Sequence, residues 1–547
     1  MHGPLPRLTP ENKDFWTCGA DNELRIQRCT SCGTLRHPQG PRCRECRSAE
    51  FDYAAVSGRG TVLGVTINAQ QWLPDMTPPY VICIVGLEED PRVRITSNLI
   101  ECDLDAAHVG LAVEVVFSQI DDVWLPYFRP IPHAAPQQLP AEDAYEVYLR
   151  TPVSSKRFEH DVVLSGLGYS EIGRRLNRDP LSLTADAALA AIADAGLRPE
   201  DIDGLATYPG AGGYAHGFSE GGVAALEEAL RLRPTWHAGG DETPGQAGAI
   251  VAAMLAVSAG LCRHVLCFRT VWESSFPLRG GAVPAADGRV SGAFLEYRAP
   301  FGAMSAANWI GMNASNYMAR YGASREVLGR IAVNARTNAG RNDRAIYRDP
   351  FTLDDYFDAR IVTTPFGLYD CDVPCDGAIA IIVSAAETAK DLAIKPVYVE
   401  AVGTQIIEPI SWDQGTLSHE PQLLGPARHL WSRTHLTHDD VDLALLYDGF
   451  SFNCLSWIES LGFCGFGEAT DFIGDGTTIA LDGSLPLNPH GGQLSGGRTH
   501  GFGFLAEAME QLRGTAGVRQ VKNAKVAVAS TGGGVPSSAW LLRSQEA

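Results

Sequence analysis

Two cysteine pairs, Cys29-x-x-Cys32 and Cys43-x-x-Cys46, constrain this chain more than any other sequence feature. Two such knuckles turn the backbone so that four thiolates meet one metal ion, and Gly33 directly follows the first pair, where a left-handed residue is needed. Protein fills all four coordination positions, so the site is structural. Zinc suits the set, and iron in the same cage is the alternative. Cys18 lies outside the spacing. Cys371, Cys375, Cys454 and Cys464 form no paired knuckle and read as packed small hydrophobes.

At about 150 residues per unit, a chain of 547 residues holds three to four domain-sized units. Its 64 acidic against 44 basic residues give a net charge of −20, which excludes broad nucleic-acid or anionic-membrane binding and leaves room for a local basic pocket. No secretory leader and no apolar run of about twenty residues is present, so a soluble cytoplasmic protein with reduced thiols is expected. The 57 glycines and 33 prolines point to many turns and close backbone approaches.

Phe15-Trp16 and Leu24 sit on a short amphipathic segment ahead of the knuckles. Beyond them, Gly60–Thr66, Tyr80–Val85, Arg94–Leu99 and Val113–Phe117 read as short alternating strands of an antiparallel barrel. Together with Pro78-Pro79-Tyr80, Thr96, Asn98-Leu99, Gly110, Val113-Glu114-Val115 and Leu125–Pro130, this stretch resembles the rubredoxin-like zinc-ribbon and OB-fold domain that accompanies thiolase-like acyl-CoA enzymes. The resemblance spans about residues 10–132. It implies a helix and zinc ribbon over 10–50 and a barrel over 51–132. A Pro-containing linker follows over 133–160.

From 161 the pattern becomes alternating strands and helices, and it repeats itself. Leu197–Tyr208 lines up with Leu436–Tyr447, and each copy is followed by a Gly-rich turn, a helix and a buried strand. Such doubling gives an α/β fold in two duplicated halves and five layers, with an insertion at about 275–360 expected as a lid over the site between them. Ala195-Gly196-Leu197, Asp201-Ile202-Asp203-Gly204, Asp376-Gly377-Ala378, Asn488-Pro489-His490-Gly491-Gly492 and Gly532-Gly533-Gly534 resemble the sterol-carrier-protein type of thiolase, over residues 161–547.

The catalytic groups of a thiolase are missing. Its nucleophilic cysteine position falls at Glu242 or Thr243, its Gly-His-Pro histidine at Arg498, and its second cysteine near Trp540. The thiolase-like branch that cleaves steroid side chains by retro-aldol chemistry shares this loss and works with a zinc-ribbon/OB partner. That resemblance implies acid–base work at Tyr447. A second family tyrosine, in a Gly-Tyr-Val-His-Gly pattern, falls at Arg498, while His500 matches the pattern's histidine. Tyr369 is the substitute candidate, and His490 sits where thiolases place an oxyanion-hole group. For each of these residues packing or a structural ion network, such as Arg498 or His500 with Glu507 or Asp448, is the competing account.

The implied function is a carbon–carbon lyase, an aldolase on a β-hydroxyacyl-CoA such as a steroid side-chain CoA thioester, which releases a ketone or aldehyde and a short acyl-CoA such as propionyl-CoA. An unconventional thiolase or acyltransferase and a non-catalytic acyl-CoA or lipid binder are the alternatives. CoA enters only as part of the substrate, nucleic-acid and membrane partners are not expected, and a homodimer through the thiolase-like domain is expected by analogy.

Overall fold

A computed structural model describes residues 2–142, 149, 156–210, 219, 222–240, 242–276, 288–292, 295–533 and 537–545. Parts of the linker expected at 133–160 and of the lid expected at 275–360, and Gly534 of the glycine triplet, lie outside the described residues.

At the N-terminus, α1 (Lys13–Thr17) buries Phe15 and Trp16. The ribbon sheet follows: β1 (Leu24–Cys29) pairs antiparallel with β2 (Leu35–Arg36) and β3 (Phe51–Val56). Five strands then form the barrel: β4 (Arg59–Asn68), β5 (Tyr80–Leu87), β6 (Arg94–Asn98), β7 (Ala112–Ile120) and β8 (Val123–Pro130). β4 pairs with both β5 and β7, β5 with β6, and β7 with β8. A bridge between Leu99 and Phe128, with the Ile100 N–H donating to the Phe128 carbonyl at 2.8 Å, closes β6 onto β8. This one bridge joins the two ends of the barrel wall, and Val62, Val81, Cys83, Val85, Ile95, Val113 and Leu125 fill its interior.

The first thiolase-like half runs β9 (Val162–Tyr169), α2 (Pro180–Asp194), β10 (Gly204–Thr207), α3 (Gly222–Leu230), β11 (Trp236–Gly239), α4 (Gly248–Ser258) and β12 (His264–Trp272). It then passes through α5 (Ala306–Tyr321), α6 (Arg325–Ala339), α7 (Leu353–Asp358) and the short strands β13 (Ile361–Thr363) and β14 (Phe366–Gly367) before β15 (Asp376–Ala385). The second half runs β16 (Val397–Gly403), α8 (Leu424–Trp431), β17 (Leu443–Leu445), α9 (Ser451–Ser460), α10 (Ala469–Ile473), α11 (Gly501–Arg513), β18 (Val526–Thr531) and β19 (Ser538–Arg543).

Among the described residues the strand order is β11-β10-β12-β15-β9 in one half and β16-β19-β18-β17 in the other, joined through two residue pairs between β9 and β16. The second half lacks a full outer strand, but Leu487 forms a parallel bridge with Ala444 in its place. Matching polar groups hold the two copies. The Asp203 carboxylate accepts from the Arg263 and His264 N–H groups, and Asp442 accepts from those of Lys525 and Val526.

Period-two alternation divides each buried strand of the first half between two cores. On β15, Ala378, Ala380 and Ile382 face α2, while Ile379, Ile381 and Val383 face the central layer. α4 is apolar on nearly every face and buried along most of its length, as suits a helix between two sheets. α11 is its counterpart, buried along nearly its whole length. Two outer helical layers, two sheet layers and this central helix pair make the five-layered thiolase-like fold.

The described part of 275–360 is largely built into the body: α5 packs along β4, and α6 lies in the main core. Ser315 and Asn316 on α5 bond the β4 backbone at Val65 and Leu63, at 2.9 and 2.7 Å. A side chain at Gly64 would run into Met312, so glycine is what permits this close approach. β13 adds to the end of β4 at the Asn68–Thr363 pair. The barrel is thus hydrogen-bonded to the hairpin that leads into residues 368–372.

Candidate metal centre and active site

The four knuckle sulfurs lie within 4.8 Å of one another, with Cys29–Cys46 and Cys32–Cys43 at 3.5 Å. Tetrahedral zinc with bonds of about 2.3 Å requires sulfurs about 3.8 Å apart, so the cage fits the ion. In each knuckle the residue after the second cysteine donates its N–H to the first cysteine's carbonyl: Gly33 to Cys29 at 2.8 Å and Arg47 to Cys43 at 3.0 Å. Both are left-handed, at φ 79° and 63°; only the first uses glycine. This structural zinc stabilises the ribbon and leaves no position open for substrate.

The candidate active site lies where the central helices begin. Tyr447, 7% exposed, follows β17, and its hydroxyl accepts from Gln246 Nε2 at 3.3 Å. Gln246 Oε1 accepts from the Gly501 N–H, the first residue of α11, at 3.1 Å, which fixes the amide's orientation. Burial pushes the Tyr447 phenol up to about 12, with Asp372 adding to the rise, while Arg498, Gln246 and Gln493 act against it. Asp372 comes to the site because its N–H donates to the Gly449 carbonyl at 3.0 Å. Its carboxyl is raised to about 7 by burial, against the pull of Arg498.

Arg498 ties the acids together, with Nε 3.1 Å from Asp372 and NH1 3.4 Å from Glu273. Burial opposes its charge, but these two carboxylates outweigh burial and hold the guanidinium above its ordinary value. Arg498 Nε also faces His500 Nε2 at 2.9 Å, and Arg269 approaches His500 Nδ1 from the other side. Burial and then the two arginines push His500 well below its usual range, so it stands neutral. At φ 55° and ψ −156°, His500 occupies backbone space that favours glycine, a strain common at functional sites. Arg269, itself lowered to about 10 by burial, donates to the Tyr208 carbonyl at 2.5 Å.

Tyr447, Arg498 and His500 therefore come together, whereas the contacts of Tyr369 and His490 are made with other side chains. The Tyr369 ring packs on Phe351 at 4.6 Å and under the Arg336 guanidinium at 5.1 Å. His490 packs edge-on against Phe504, lines a small cavity with Arg344 and Glu507, and is lowered to about 3 by burial. Arg498 pairs with neither Glu507 nor Asp448: Glu507 belongs to Arg519, and Asp448 accepts from the Gln493 N–H at 2.7 Å. Glu242 is exposed, and the Thr243 hydroxyl donates to the Gly245 carbonyl, so the side chain that reaches Tyr447 from the start of α4 is Gln246. Trp540 is a core residue of β19 whose indole donates to Ser538.

Gln246, Arg269, Glu273, Asp372 and Gln493 complete the site and were not singled out from sequence. One usable signal is Asp372, an acid three residues beyond the candidate Tyr369.

Three family descriptions match the chain: ChsH2, rubredoxin-like zinc ribbon domain, over residues 16–52; ChsH2, C-terminal OB-fold domain, over 53–118; and Thiolase C-terminal domain-like, over 427–542. Over 388 residues the chain is 34% identical to the steroid side-chain-cleaving aldolase of Thermomonospora curvata, a match taking in 69% of this chain and 97% of that relative. It is 36% identical over 387 residues to the 17-hydroxy-3-oxo-4-pregnene-20-carboxyl-CoA lyase of Mycobacterium tuberculosis, with the same coverage, 69% and 97%. The solved structure of the Ltp2-ChsH2(DUF35) aldolase, 32% identical, aligns with a TM-score of 0.63 over 71% of this chain and 99% of that one. With two relatives at least 34% identical and each matched along 97% of its length, the chain belongs to the family of steroid side-chain-cleaving aldolases.

Proposed function

We propose that this chain is a carbon–carbon lyase that cleaves a 17-hydroxy steroid side-chain CoA thioester by a retro-aldol step, giving a 17-ketosteroid and propionyl-CoA. The observation that carries this reading is the buried Tyr447–Asp372–Arg498 cluster at the start of the central helices. Cys375 and Cys454 are buried and Cys371 is half-buried, and burial pushes all three thiols up, so none of them supplies a thiolate nucleophile.

Asp372, at about 7, is ionised in a large fraction of molecules near neutral pH and takes the β-hydroxyl proton. As the bond between the carbinol carbon and the α-carbon breaks, the carbinol carbon becomes the ketone and the electron pair enters the thioester as an enolate. Tyr447, at about 12, is still protonated and delivers its proton to the α-carbon. The proton on Asp372 then returns to Tyr447, so the cycle consumes no net proton and no free CoA. Arg498 holds Asp372 in place, and neutral His500 spaces the two arginines. Tyr369 and His490 support the surrounding packing.

The same reading makes the chain a cytoplasmic homodimer joined through the thiolase-like body. β11 is the outer strand of its ladder, and among the described residues nothing pairs with its free side. Its backbone groups suit a second copy of the chain. No described helix is long and apolar enough to cross a membrane.

Incubation with the 17-hydroxy thioester in CoA-free buffer is expected to give equal amounts of 17-ketosteroid and propionyl-CoA by mass spectrometry. Unchanged substrate at high enzyme concentration would overturn the assignment.

A further inference from the structure

Gln493 is 1% exposed, yet neither its Nε2 nor its Oε1 has a hydrogen-bond partner. A fully buried side-chain amide with both ends unmade is costly, and in a native site it calls for a specific explanation. Its backbone is pinned on both sides. The N–H donates to Asp448 Oδ1 at 2.7 Å, and the carbonyl accepts from the Val373 N–H at 3.1 Å. These two anchors directly adjoin Tyr447 and Asp372 in the chain, so Gln493 sits between the acid and the base. The turn tolerates this only with glycine at 492, where φ is 58° and any Cβ would collide with the Asp448 carboxylate. The amide approaches the Tyr447 hydroxyl closely enough to favour its ionised form, but makes no well-formed hydrogen bond to it.

We propose that Gln493 is a catalytic residue whose Nε2 donates to the thioester oxygen of the acyl-CoA substrate and holds it as negative charge develops there. This deepens the lyase reading above and rests on it. Gln246 cannot take the role, because its Nε2 is engaged by Tyr447 and its Oε1 by Gly501. A donor confined in a water-poor site gains strength as the carbonyl becomes an enolate, and the pinned backbone and full burial of Gln493 limit where its amide can move. Oε1 remains available to accept an N–H or O–H from the same ligand.

The test uses the full-length protein and two variants. Gln493→Met keeps the size and removes both polar atoms; Gln493→Glu keeps the shape and an acceptor but removes the Nε2 donor. Each is expected to lose about 100- to 1,000-fold in kcat. Retention of kcat within threefold in a folded Met variant would overturn the proposal. A binding measurement on the unaltered protein needs neither turnover nor a folded variant. It compares a non-cleavable 17-deoxy steroid side-chain CoA thioester with the matching S-alkyl CoA thioether, which lacks the carbonyl oxygen. The thioester is expected to bind about 3- to 10-fold more tightly. Equal affinity would overturn the proposed contact even if cleavage is observed, while preference for the thioester without cleavage would leave the contact standing and remove the lyase reading.

Discussion

Replacing Tyr447 with Phe is expected to lower kcat by about 1,000-fold, the central value for loss of one positioned proton donor. The ring remains, so packing on Phe504, whose ring centre is 6.0 Å away, is retained. The lost hydroxyl leaves Gln246 Nε2 without its partner, a cost of about 1–3 kcal/mol that folded protein should survive. Circular dichroism and thermal unfolding establish that the variant is folded before rates are compared. The unaltered enzyme's kcat/KM should rise as pH passes about 7, where the Asp372 base loses its proton. It should fall only towards 12, where the Tyr447 acid would ionise. In the Phe variant the residual rate should keep the rise near neutrality, because Asp372 remains. Turnover within tenfold of the unaltered enzyme would remove Tyr447 from the proton route.

Arg298→Met is the substitution expected to cost most stability. Arg298 is 1% exposed and lies 2.8 Å from Asp413, whose side chain is 6% exposed. Asp413 also accepts from the Thr96 hydroxyl of the barrel at 2.7 Å, and the Arg298 guanidinium rests over Trp309 at 4.6 Å. Arg298 and its companions hold the carboxyl well below its usual range despite complete burial. The pair thus stitches the segment before α5 and the loop before α8 to barrel strand β6. Removing only the cation strands a buried carboxylate, which costs about 3–5 kcal/mol, whereas removing both charges costs far less. Urea unfolding should show the full loss in Arg298→Met and recovery of a large part of it in Arg298→Met with Asp413→Leu. A loss below about 1 kcal/mol in the single variant would mean that the pair does not hold the barrel.

Much of the architecture was legible because its signals are local. The four cysteines fall at fixed spacing, and the two knuckles differ only in that Arg47 takes the left-handed position Gly33 takes in the other. The doubling was legible because Asp203 and Asp442 mark the same turn ahead of β10 and β17. The active site was less legible because Gln246, Arg269, Asp372 and Gln493 come from separate segments that only the folded sheets bring together. Tyr369 illustrates the limit. It stands three residues from Asp372, but the tight turn at Leu368–Asp370 carries its ring to Arg336, while the chain beyond delivers Asp372 to Gly449. At the start of α4 the thiolase cysteine position falls at Glu242 or Thr243, but Gly245 turns the chain against Thr531, the helix begins at Gly248, and Gln246 is the side chain that meets the phenol. Docking of the barrel through Arg298 and Asp413, 115 residues apart, had no sequence signature.

A single-turnover reaction in deuterated water, with no free CoA, tests the central claim most directly. If Tyr447 reprotonates a thioester enolate, each 17-ketosteroid formed is matched by one propionyl-CoA carrying one deuterium at its α-carbon, and no acyl group is found on the protein. Propionyl-CoA without deuterium, a covalent acyl-enzyme, or product formed only after free CoA is added would contradict the retro-aldol account.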